Sequence, residues 1–396
     1  QRIMHKRISV HSRRRAHTRA HAAALSVLIM TTYRVALIGT GRVGYQFNFS
    51  NLPDNHAEAL CAHPRCEIVA GVNRGHDKLA DFGQRFNVSA LYHDYREMLR
   101  EVRPDICIIT THPQHHAEMV AICAAESATR AIICEKPMAL STKECDSMID
   151  ACQRAEVLLQ INHNRRWHPE WNLAKRLLNE GTIGRLNHIY CYMDGVKPAP
   201  WWTSEFEGPL LHDATHYMDL LDYFAGPVDW LCGLAEQRKR PWAVEDFAFA
   251  FMKFKNGVSA LLHSSELTEY TDHAFELRGE KGILRIQGER VQLLQSQLAL
   301  SEPDSGFEWS RLQEQPVDHP PSESTYVEAL EELINALEGK AFLRSDGHVG
   351  RRSLEMVQAV YQSQLDGNCP VHFPADIKTS GVDALRQSGH FVERNV

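Results

Sequence analysis

From Tyr33 onward, short apolar runs alternate with amphipathic stretches. The apolar runs are nearly continuous and rich in β-branched residues, as expected for strands covered on both faces: YRVALIG, EIVAGVN, DICIITT and AIICEKP. The stretches between them have the apolar spacing of helices: HAEALCAHP, KLADFGQRF, DYREMLREV and HHAEMVAICAAES. This alternation predicts βαβ units with right-handed crossovers, and therefore an α/β, doubly wound Rossmann-like domain with a parallel sheet over residues 32–153.

The pattern changes in the region 154–396. After the helix EWNLAKRLLNEGTIG come longer alternating segments, LNHIYCYMD, DFAFAFMKFKNGVSALLHSSE and HAFELRGEKGILRIQGERVQLL. They read as antiparallel strands with glycine turns at KNG and GEKG. Two amphipathic helices, TYVEALEELINALEG and GRRSLEMVQAVYQSQLDG, follow. We therefore expect an α+β domain with an open, mostly antiparallel sheet, whose C-terminal helices can pack back on the first domain.

The first 31 residues differ from the rest, being rich in Arg, His and Ala and lacking Asp and Glu. The run from Arg13 to Arg15 followed by AAALSVLIM resembles a twin-arginine or organelle-targeting signal. However, the apolar run is short and no small-x-small cleavage site follows it. We interpret residues 1–31 as a disordered or dispensable basic extension upstream of a start near Met30, with a targeting peptide as the alternative.

Composition and charge narrow the class of partner. Of the 396 residues, 43% are hydrophobic and 23% charged, as in ordinary soluble globular proteins. The net charge of −7 argues against nucleic acid as a partner, and no apolar stretch reaches the length of a membrane-spanning helix. Ten cysteines without a CxxC pair, most of them in apolar runs, indicate buried thiols in a reducing, cytoplasmic compartment.

The first strand runs into VALIGTGRVGYQ, which places Gly39, Gly41 and Gly44 in GxGxxG spacing. The first glycine permits a tight turn, the second lets a pyrophosphate approach the backbone, and the third lets the next helix pack closely. We predict a dinucleotide-binding loop, with a purely structural turn as the alternative; its other members are Thr40, Arg42 and Val43. The insertion YQFNFSNLPDN appears next, so the first helix is predicted to be interrupted or delayed.

The end of the second predicted strand, AGVNRGHD, indicates whether NAD or NADP is the preferred cofactor. Asn73 and Arg74 stand where an NAD-specific site usually has an acid for the ribose 2′-hydroxyl. Arg74 could instead attract a 2′-phosphate. NADP is therefore slightly favoured over NAD, unless Arg74 is only a solvated loop charge.

The fourth predicted run ends in Glu135 and Lys136, at the sheet edge where ligands bind in such domains. Lys136 could hydrogen-bond a substrate hydroxyl and polarise the carbonyl formed on oxidation. Glu135 could hold that ammonium or contact the nicotinamide ribose. The alternative is a surface charge pair beside a turn proline.

Together, these motifs resemble the glucose–fructose oxidoreductase / inositol dehydrogenase / rhizopine-catabolism (Gfo/Idh/MocA) family. The similarity lies in the glycine-rich turn, TTHPQHH and CEKP, and continues through NHNRRWHPEW, EGTIGRL, GPLLHDATHYMDLLDYFAG and VGRRSLEMVQAVYQSQ, over residues 33–373. The resemblance implies an NAD(P)-dependent oxidoreductase of sugars, polyols or cyclitols that forms a homodimer or homotetramer. Alternatives are a glycoside hydrolase that oxidises its substrate transiently and a non-catalytic regulatory protein.

The resemblance also implies residue roles. Lys136 corresponds to the catalytic lysine, with a cis Lys136–Pro137 bond, and His216 to the catalytic histidine, a general base. Many relatives carry Asp four residues before this histidine, whereas this chain has His212 there and Asp213 next to it. Asp213 could still orient His216 or a substrate hydroxyl, and His212 is a candidate for catalysis or substrate binding. Metal binding by the H-x-x-x-H pair would need a third ligand that the sequence does not reveal.

Further candidates flank these motifs. Arg166 could donate hydrogen bonds to substrate hydroxyls or a carboxylate. The indole rings could stack on sugar faces or fill the core, and they belong to Trp167, Trp171, Trp201 and Trp202. Near the cofactor loop, the resemblance points to Thr111, Pro113 and His116 at and after the end of the run DICIITT, although His116 could equally begin a helix.

Overall fold

The computed structural model describes residues 31–47, 50–195, 207–298, 310–375 and 377–394. Nearly all of the predicted extension, and Trp201 and Trp202, lie outside the described residues. Within the described ranges, no helix combines the length and apolar character needed to cross a membrane.

A parallel sheet forms the N-terminal unit. Within the described chain it has six strands in the order β3-β2-β1-β4-β5-β6, namely β1 (Tyr33–Ile38), β2 (Cys66–Val72), β3 (Leu91–Tyr92), β4 (Ile106–Ile109), β5 (Ala131–Cys134) and β6 (Leu158–Ile161). The helices are α1 (His56–Ala62), α2 (His76–Phe86), α3 (Tyr95–Val102), α4 (His116–Ala125) and α5 (Thr142–Arg154). The chain reverses direction across the sheet between β1 and β4, which creates the crevice where doubly wound folds bind ligands. The predicted Rossmann-like fold is confirmed.

Side-chain caps fix where several of these helices begin. The Asn55 side chain accepts a hydrogen bond from the backbone N–H of Glu58 at the start of α1, at 2.9 Å. Ser141 and Glu144 form a reciprocal capping box at the start of α5. Such caps satisfy N–H groups that have no partner within the helix and typically contribute about 1 kcal/mol.

The second unit is built on a larger, mostly antiparallel sheet, as predicted. Its strand order in the described residues is β14-β13-β12-β11-β7-β10-β9-β8-β15, with β7 and β10 parallel. The strands are β7 (Leu186–Asp194), β8 (Val228–Glu236), β9 (Phe247–Phe254), β10 (Ser259–Ser265), β11 (Asp272–Gly279), β12 (Gly282–Gln287), β13 (Arg290–Leu298), β14 (Ser310–Gln315) and β15 (Val371–His372). Burial alternates along β9, so one face of the sheet packs inward while the other stays half-exposed.

Helices join the second sheet to the first unit. They are α6 (Pro169–Asn179), α7 (Thr215–Ala225), α8 (Thr325–Leu337), α9 (Gly347–Leu365) and α10 (Gly381–Gln387). Leu330, Leu333 and Ile334 of α8 are buried in the same core as the side chains of β1. Helix α9 contacts β8 and α7 on one side and α5 and β6 on the other. The late helices therefore pack against the first sheet.

Candidate active site

A cavity of about 1210 Å³ lies at the carboxyl ends of β1, β2, β4 and β5. Its wall includes most of the residues predicted to bind a cofactor: Gly39, Gly41, Arg42, Val43, Asn73, Arg74, Thr111, Pro113, Glu135 and Lys136. His212 and Glu207, from the second unit, complete the lining on the far side. The cavity therefore lies between the parallel sheet and the segment that precedes α7.

The three glycines of the first turn have different surroundings. Gly39 has φ +106°, and a Cβ added there would stand 2.9 Å from the Thr110 backbone. A Cβ on Gly44 would stand 2.6 Å from the Gly39 carbonyl oxygen. Gly41, in contrast, has no heavy atom within 4 Å of its added Cβ position, so open space meets its backbone. Gly39 and Gly44 thus permit close packing, and Gly41 leaves room for a ligand, as a dinucleotide pyrophosphate requires.

The first helix is interrupted, as the inserted sequence predicted. Arg42–Gln46 forms a π-helical turn, in which the Phe47 N–H donates to the Arg42 carbonyl at 2.9 Å. Helix α1 begins only at His56. The Arg42 guanidinium lies 4.7 Å from the centre of the Phe47 ring, which places this cation along the cavity rim.

Asn73 fixes the loop that carries Arg74. The Asn73 side-chain amide donates to the Thr40 carbonyl at 2.8 Å and its oxygen accepts from the Gly75 N–H at 2.8 Å. Thr40 is fully buried and does not reach the cavity lining. Arg74 is exposed on the cavity wall, where Lys78 and Arg96 add positive charge and Asp77, Asp94 and Glu118 add negative charge.

Glu135 is held by two residues that the sequence analysis did not identify. His56 Nε2 lies 2.8 Å from Glu135 Oε1, and the Asn162 amide donates to the same oxygen at 2.6 Å. Burial alone would raise the pKa of Glu135, but these hydrogen bonds and the charge of Lys136 hold the pKa below its ordinary value. Glu135 is therefore an ionised side chain anchored in the cavity wall.

Lys136 connects the first sheet to the second unit. Its Nζ donates to the backbone carbonyl of His212 at 2.6 Å, and the Lys136–Pro137 peptide is cis, as predicted. The ammonium group thus meets the segment that carries the predicted histidine, from the opposite side of the cavity.

The segment that carries His212 is wound more widely than an α-helix. Leu210–Ala214 is a π-helical turn and the regular helix begins at Thr215, so simple i,i+4 spacing does not describe this segment. His212 Nδ1 lies 3.1 Å from Glu207 Oε2, and its Nε2 lies 3.7 Å from Asp213 Oδ1. Burial would raise the pKa of Glu207, but the hydrogen bond and charge of His212, followed by the charge of Lys136, hold it below its ordinary value.

His216 lies outside the described cavity lining. Its Nδ1 is buried and has no hydrogen-bond partner among the described residues. Burial, followed by the positive charges of Lys136 and Arg165, lowers the pKa of His216 well below 6.5, so the imidazole is neutral near pH 7. His216 and Lys136 therefore share one electrostatic environment.

Arg166 does not reach the cavity. Its Nε lies 2.9 Å from both carboxylate oxygens of Asp219, and its Nη1 donates to the Arg344 carbonyl at 2.9 Å. The side chain is buried in this ion pair. The geometry corrects the sequence-based interpretation of Arg166 as a substrate donor, because its donor groups already serve the protein.

Trp167 is also a core residue. It is 2% exposed, and its Nε1–H donates to Glu332 at 3.1 Å. Trp171 is buried as well and packs edge-on against Phe275, with ring centroids 5.4 Å apart. These indoles fill the core, so neither presents a ring face to the cavity lining.

The neighbouring Arg165 also lies outside the described cavity lining, but its contacts differ from those of Arg166. Its Nη1 is buried without a hydrogen-bond partner among the described residues, and its guanidinium lies 5.0 Å from the centre of the Tyr217 ring. Burial lowers the pKa of Arg165, which Tyr217 and Asp213 partly offset. The sequence NRRW shows only that two arginines are adjacent, and it does not indicate that their side chains have different surroundings.

His116 is a buried residue that connects two loops beside the cavity. It is fully buried, with Nε2 3.0 Å from the Thr111 carbonyl and Nδ1 3.2 Å from the Pro137 carbonyl. Burial lowers the pKa of His116, so the ring is neutral near pH 7. The predicted cofactor contact by His116 is therefore replaced by a link between the loops after β4 and β5.

Glu245 supports the segment that carries Glu207 and His212. Its carboxylate accepts hydrogen bonds from the Leu210 N–H at 3.0 Å and from the Tyr361 hydroxyl at 2.9 Å. Burial raises the pKa of Glu245 to about 7.

Within the described ranges, no group of three or more His, Cys, Asp or Glu residues is arranged to hold a metal ion.

Two protein-family models match the chain. One, described as an oxidoreductase family with an NAD-binding Rossmann fold (GFO_IDH_MocA), matches residues 33–163. The other, described as the GFO/IDH/MocA C-terminal domain, matches residues 171–285. The two matches therefore cover the parallel sheet and most of the second sheet.

Individual proteins show the same similarity. D-apiose dehydrogenase of Paraburkholderia graminis is 26% identical over 363 residues, covering 87% of this chain and 92% of the relative. Myo-inositol 2-dehydrogenase of Thermotoga maritima is 26% identical over 257 residues, covering 63% and 73%. The solved WlbA dehydrogenase of Chromobacterium violaceum, in complex with NADH and UDP-GlcNAcA, superposes with a TM-score of 0.72 at 26% identity, covering 87% of this chain and 97% of that one.

Proposed function

The protein belongs to the Gfo/Idh/MocA oxidoreductase family, and we propose that it transfers a hydride between a nicotinamide dinucleotide and a secondary alcohol or ketone of a sugar, polyol or cyclitol. The observation that carries this proposal is the meeting of Lys136 and the His212 backbone across the cavity. The relatives named above include dehydrogenases of D-apiose and myo-inositol, which supports an alcohol of this class as substrate.

The described residues fit a dinucleotide at one end of the cavity and a substrate at the other. The backbone at Gly41 would contact the pyrophosphate, and the loop that carries Arg74 would contact the adenosine ribose. Thr111 and Pro113 would form the adjoining part of the cavity wall. When bound, the dinucleotide supplies the hydride acceptor. Lys136 would donate a hydrogen bond to the substrate oxygen and favour the carbonyl form, since negative charge on that oxygen is stabilised by the ammonium.

A neutral imidazole would take the hydroxyl proton during oxidation. The family resemblance assigns this role to His216, whose neutral ring lies outside the described cavity lining, whereas His212 lies on it. Asp213, close to His212 Nε2, would orient a substrate hydroxyl or one of the two imidazoles.

A direct assay tests the function. The purified protein is mixed with NAD or NADP and with myo-inositol, D-apiose or levoglucosan, and absorbance at 340 nm is followed. We expect reduction of the cofactor with at least one alcohol of this class. Tight cofactor binding without turnover on a wide panel of sugars and polyols would contradict the proposal, and release of an aglycone without net cofactor reduction would support the transient-oxidation hydrolase.

Within this function we propose that NADP is preferred slightly over NAD. Arg74 is exposed on the wall and position 73 is not an acid. Of the other cations on the lining, Arg96 is paired with Glu118, so Arg74 carries the proposal. A charge-assisted hydrogen bond from an arginine to a 2′-phosphate is worth about 1.5–3 kcal/mol.

Arg74→Ala should therefore raise the KM for NADP by roughly tenfold while leaving the KM for NAD within about twofold. Steady-state kinetics with both cofactors measure this effect. Arg185→Ala, which removes an exposed arginine of the second unit, is the matched control and should change neither value. An equal change in both KM values would mean that Arg74 does not read the 2′ position.

We further propose a cytoplasmic homo-oligomer. All ten cysteines are free thiols, which suits a reducing compartment. The outer face of the second sheet presents the half-exposed rings of Phe249 and Phe251 together with the exposed Tyr190, and an apolar face of this kind suits subunit pairing. Light scattering on the purified protein measures the molar mass directly.

A further inference from the structure

The family resemblance leads us to expect an acid four residues before His216; this chain has His212 there, and the structure supplies a carboxylate next to it from a different position. Glu207 lies five residues earlier in the chain, is buried on the cavity wall, and places Oε2 3.1 Å from His212 Nδ1. We propose that Glu207 and His212 form the acid–base pair of the reaction: Nε2 of His212 exchanges the proton with the reacting oxygen, and Glu207 is the positioning residue that holds the ring.

The contact with Glu207 selects one tautomer of His212. A carboxylate accepts hydrogen bonds, so Nδ1 carries the proton and Nε2 keeps its lone pair. An imidazole held in this way by a buried carboxylate is a well-oriented proton acceptor, because the carboxylate also stabilises the imidazolium that forms. The Glu207 carboxylate thus orients an imidazole ring in this chain, a role that position 212 cannot take because it is itself a histidine.

The position of His212 distinguishes it from His216. His212, Glu207 and Lys136 line the cavity together, whereas His216 is outside the described lining. Lys136 Nζ lies 2.6 Å from the backbone carbonyl oxygen of His212, so the ammonium group contacts the residue that carries the imidazole ring. Both side chains therefore line the cavity in which the substrate oxygen would be bound.

The proposed step balances in both directions and rests on the proposed oxidoreductase function. In oxidation, the alcohol carbon loses its hydrogen as hydride to the nicotinamide ring, the O–H bond breaks, and the proton passes to His212 Nε2 as the C=O bond forms. The imidazolium then returns that proton to solvent. In reduction, His212 donates the proton to the oxygen while the carbonyl carbon receives hydride.

Kinetics of matched variants test the assignment on whichever of myo-inositol, D-apiose or levoglucosan the protein oxidises. His212→Asn should lower kcat by about 10²-fold or more, which is the usual effect of losing a general base. Glu207→Gln should lower kcat by about tenfold and leave KM within about threefold, because the amide oxygen still accepts from Nδ1 but carries no charge. The kcat–pH profile of Glu207→Gln should differ from that of the wild type, because the variant removes a buried carboxylate in contact with the ring.

Other charges face this pair and are kept constant in the comparison. Lys136 and His112 act on Glu207, and Asp213 lies beside His212 Nε2. Glu280→Gln, an exposed glutamate of the second unit that pairs with Arg185, is the control and should keep the wild-type kcat and pH profile. A pH profile unchanged in both glutamate variants would show that the Glu207 carboxylate does not act through the ring.

A spectroscopic measurement needs no substrate. In protein labelled with ¹⁵N-histidine, the resonances of His212 are identified by their loss in His212→Asn. They should show the Nδ1–H tautomer in the wild type and a mixture of tautomers in Glu207→Ala. The Nε2–H tautomer in the wild type would overturn the proposal, as would wild-type kcat in His212→Asn alongside an inactive His216→Asn. Those two results would leave the oxidoreductase function intact, whereas failure of the wild-type assay would remove the function itself.

Discussion

Replacement of Lys136 by methionine is expected to lower kcat by about 10³-fold. The substitution keeps an unbranched side chain of similar length but removes the ammonium that would donate to the reacting oxygen. The largest loss should appear in kcat, because the developing negative charge on that oxygen interacts with the ammonium most strongly in the transition state. The rate is measured at saturating cofactor and saturating substrate, by absorbance at 340 nm.

Two controls separate chemistry from folding in this variant. Lys136→Met also loses the hydrogen bond from its ammonium group to the His212 carbonyl, which is worth about 1.5–3 kcal/mol, so its unfolding free energy should fall by no more than about that amount. Lys143→Met replaces an exposed lysine on α5 and should keep full activity. Wild-type kcat in Lys136→Met would show that another group polarises the substrate oxygen.

Replacement of Arg166 by methionine is expected to lower the free energy of unfolding by about 3–5 kcal/mol. The variant leaves the buried carboxylate of Asp219 without the guanidinium that lies 2.9 Å away in the wild type. Removing one partner of a buried ion pair is costly because the other charge remains in a low-dielectric environment. Urea unfolding followed by circular dichroism measures the change, and the folded fraction should keep the wild-type KM for substrate.

The adjacent Arg165→Met is the matched comparison. Its Nη1 is buried without a hydrogen-bond partner among the described residues, so its removal should change stability by less than about 1 kcal/mol. The opposite pattern, a stable Arg166 variant with weak substrate binding, would return Arg166 to the substrate site.

The fold was largely predictable because periodicity reports burial directly. The strands of the first sheet are buried on both faces and read as continuous apolar runs. Strand β3, in contrast, contains two half-buried residues, Leu91 and Tyr92, which is too short for any periodic signal. Strands β8 and β14 were not identified from the sequence, and β14 in particular is exposed and polar over most of its length.

The site was predictable only where a motif carries its chemistry locally. The glycine turn and Lys136 are such motifs. The partners of Glu135 are not, because His56 lies 79 positions away and Asn162 lies 27 positions away. Only the tertiary fold brings these three side chains together.

The surroundings of Arg166 could not be predicted from the sequence for a geometric reason. Asn164–Trp167 forms a 3₁₀ turn, in which successive side chains project about a third of a turn apart. Arg166 is therefore directed to Asp219, while Arg165 is directed to the face of Tyr217. The adjacent residues have different surroundings, and the sequence NRRW alone does not specify which arginine faces which.

The packing of α8 against the first sheet has a consequence for how the chain matures. Leu333 and Ile334 fill the core beside β1, although they are synthesised long after the last strand of that sheet. At ribosomal rates of about 5–20 residues per second, the gap between β6 and α8 lasts on the order of ten seconds or more. During translation the N-terminal unit therefore emerges with an apolar surface exposed, which is covered only after α8 has been synthesised.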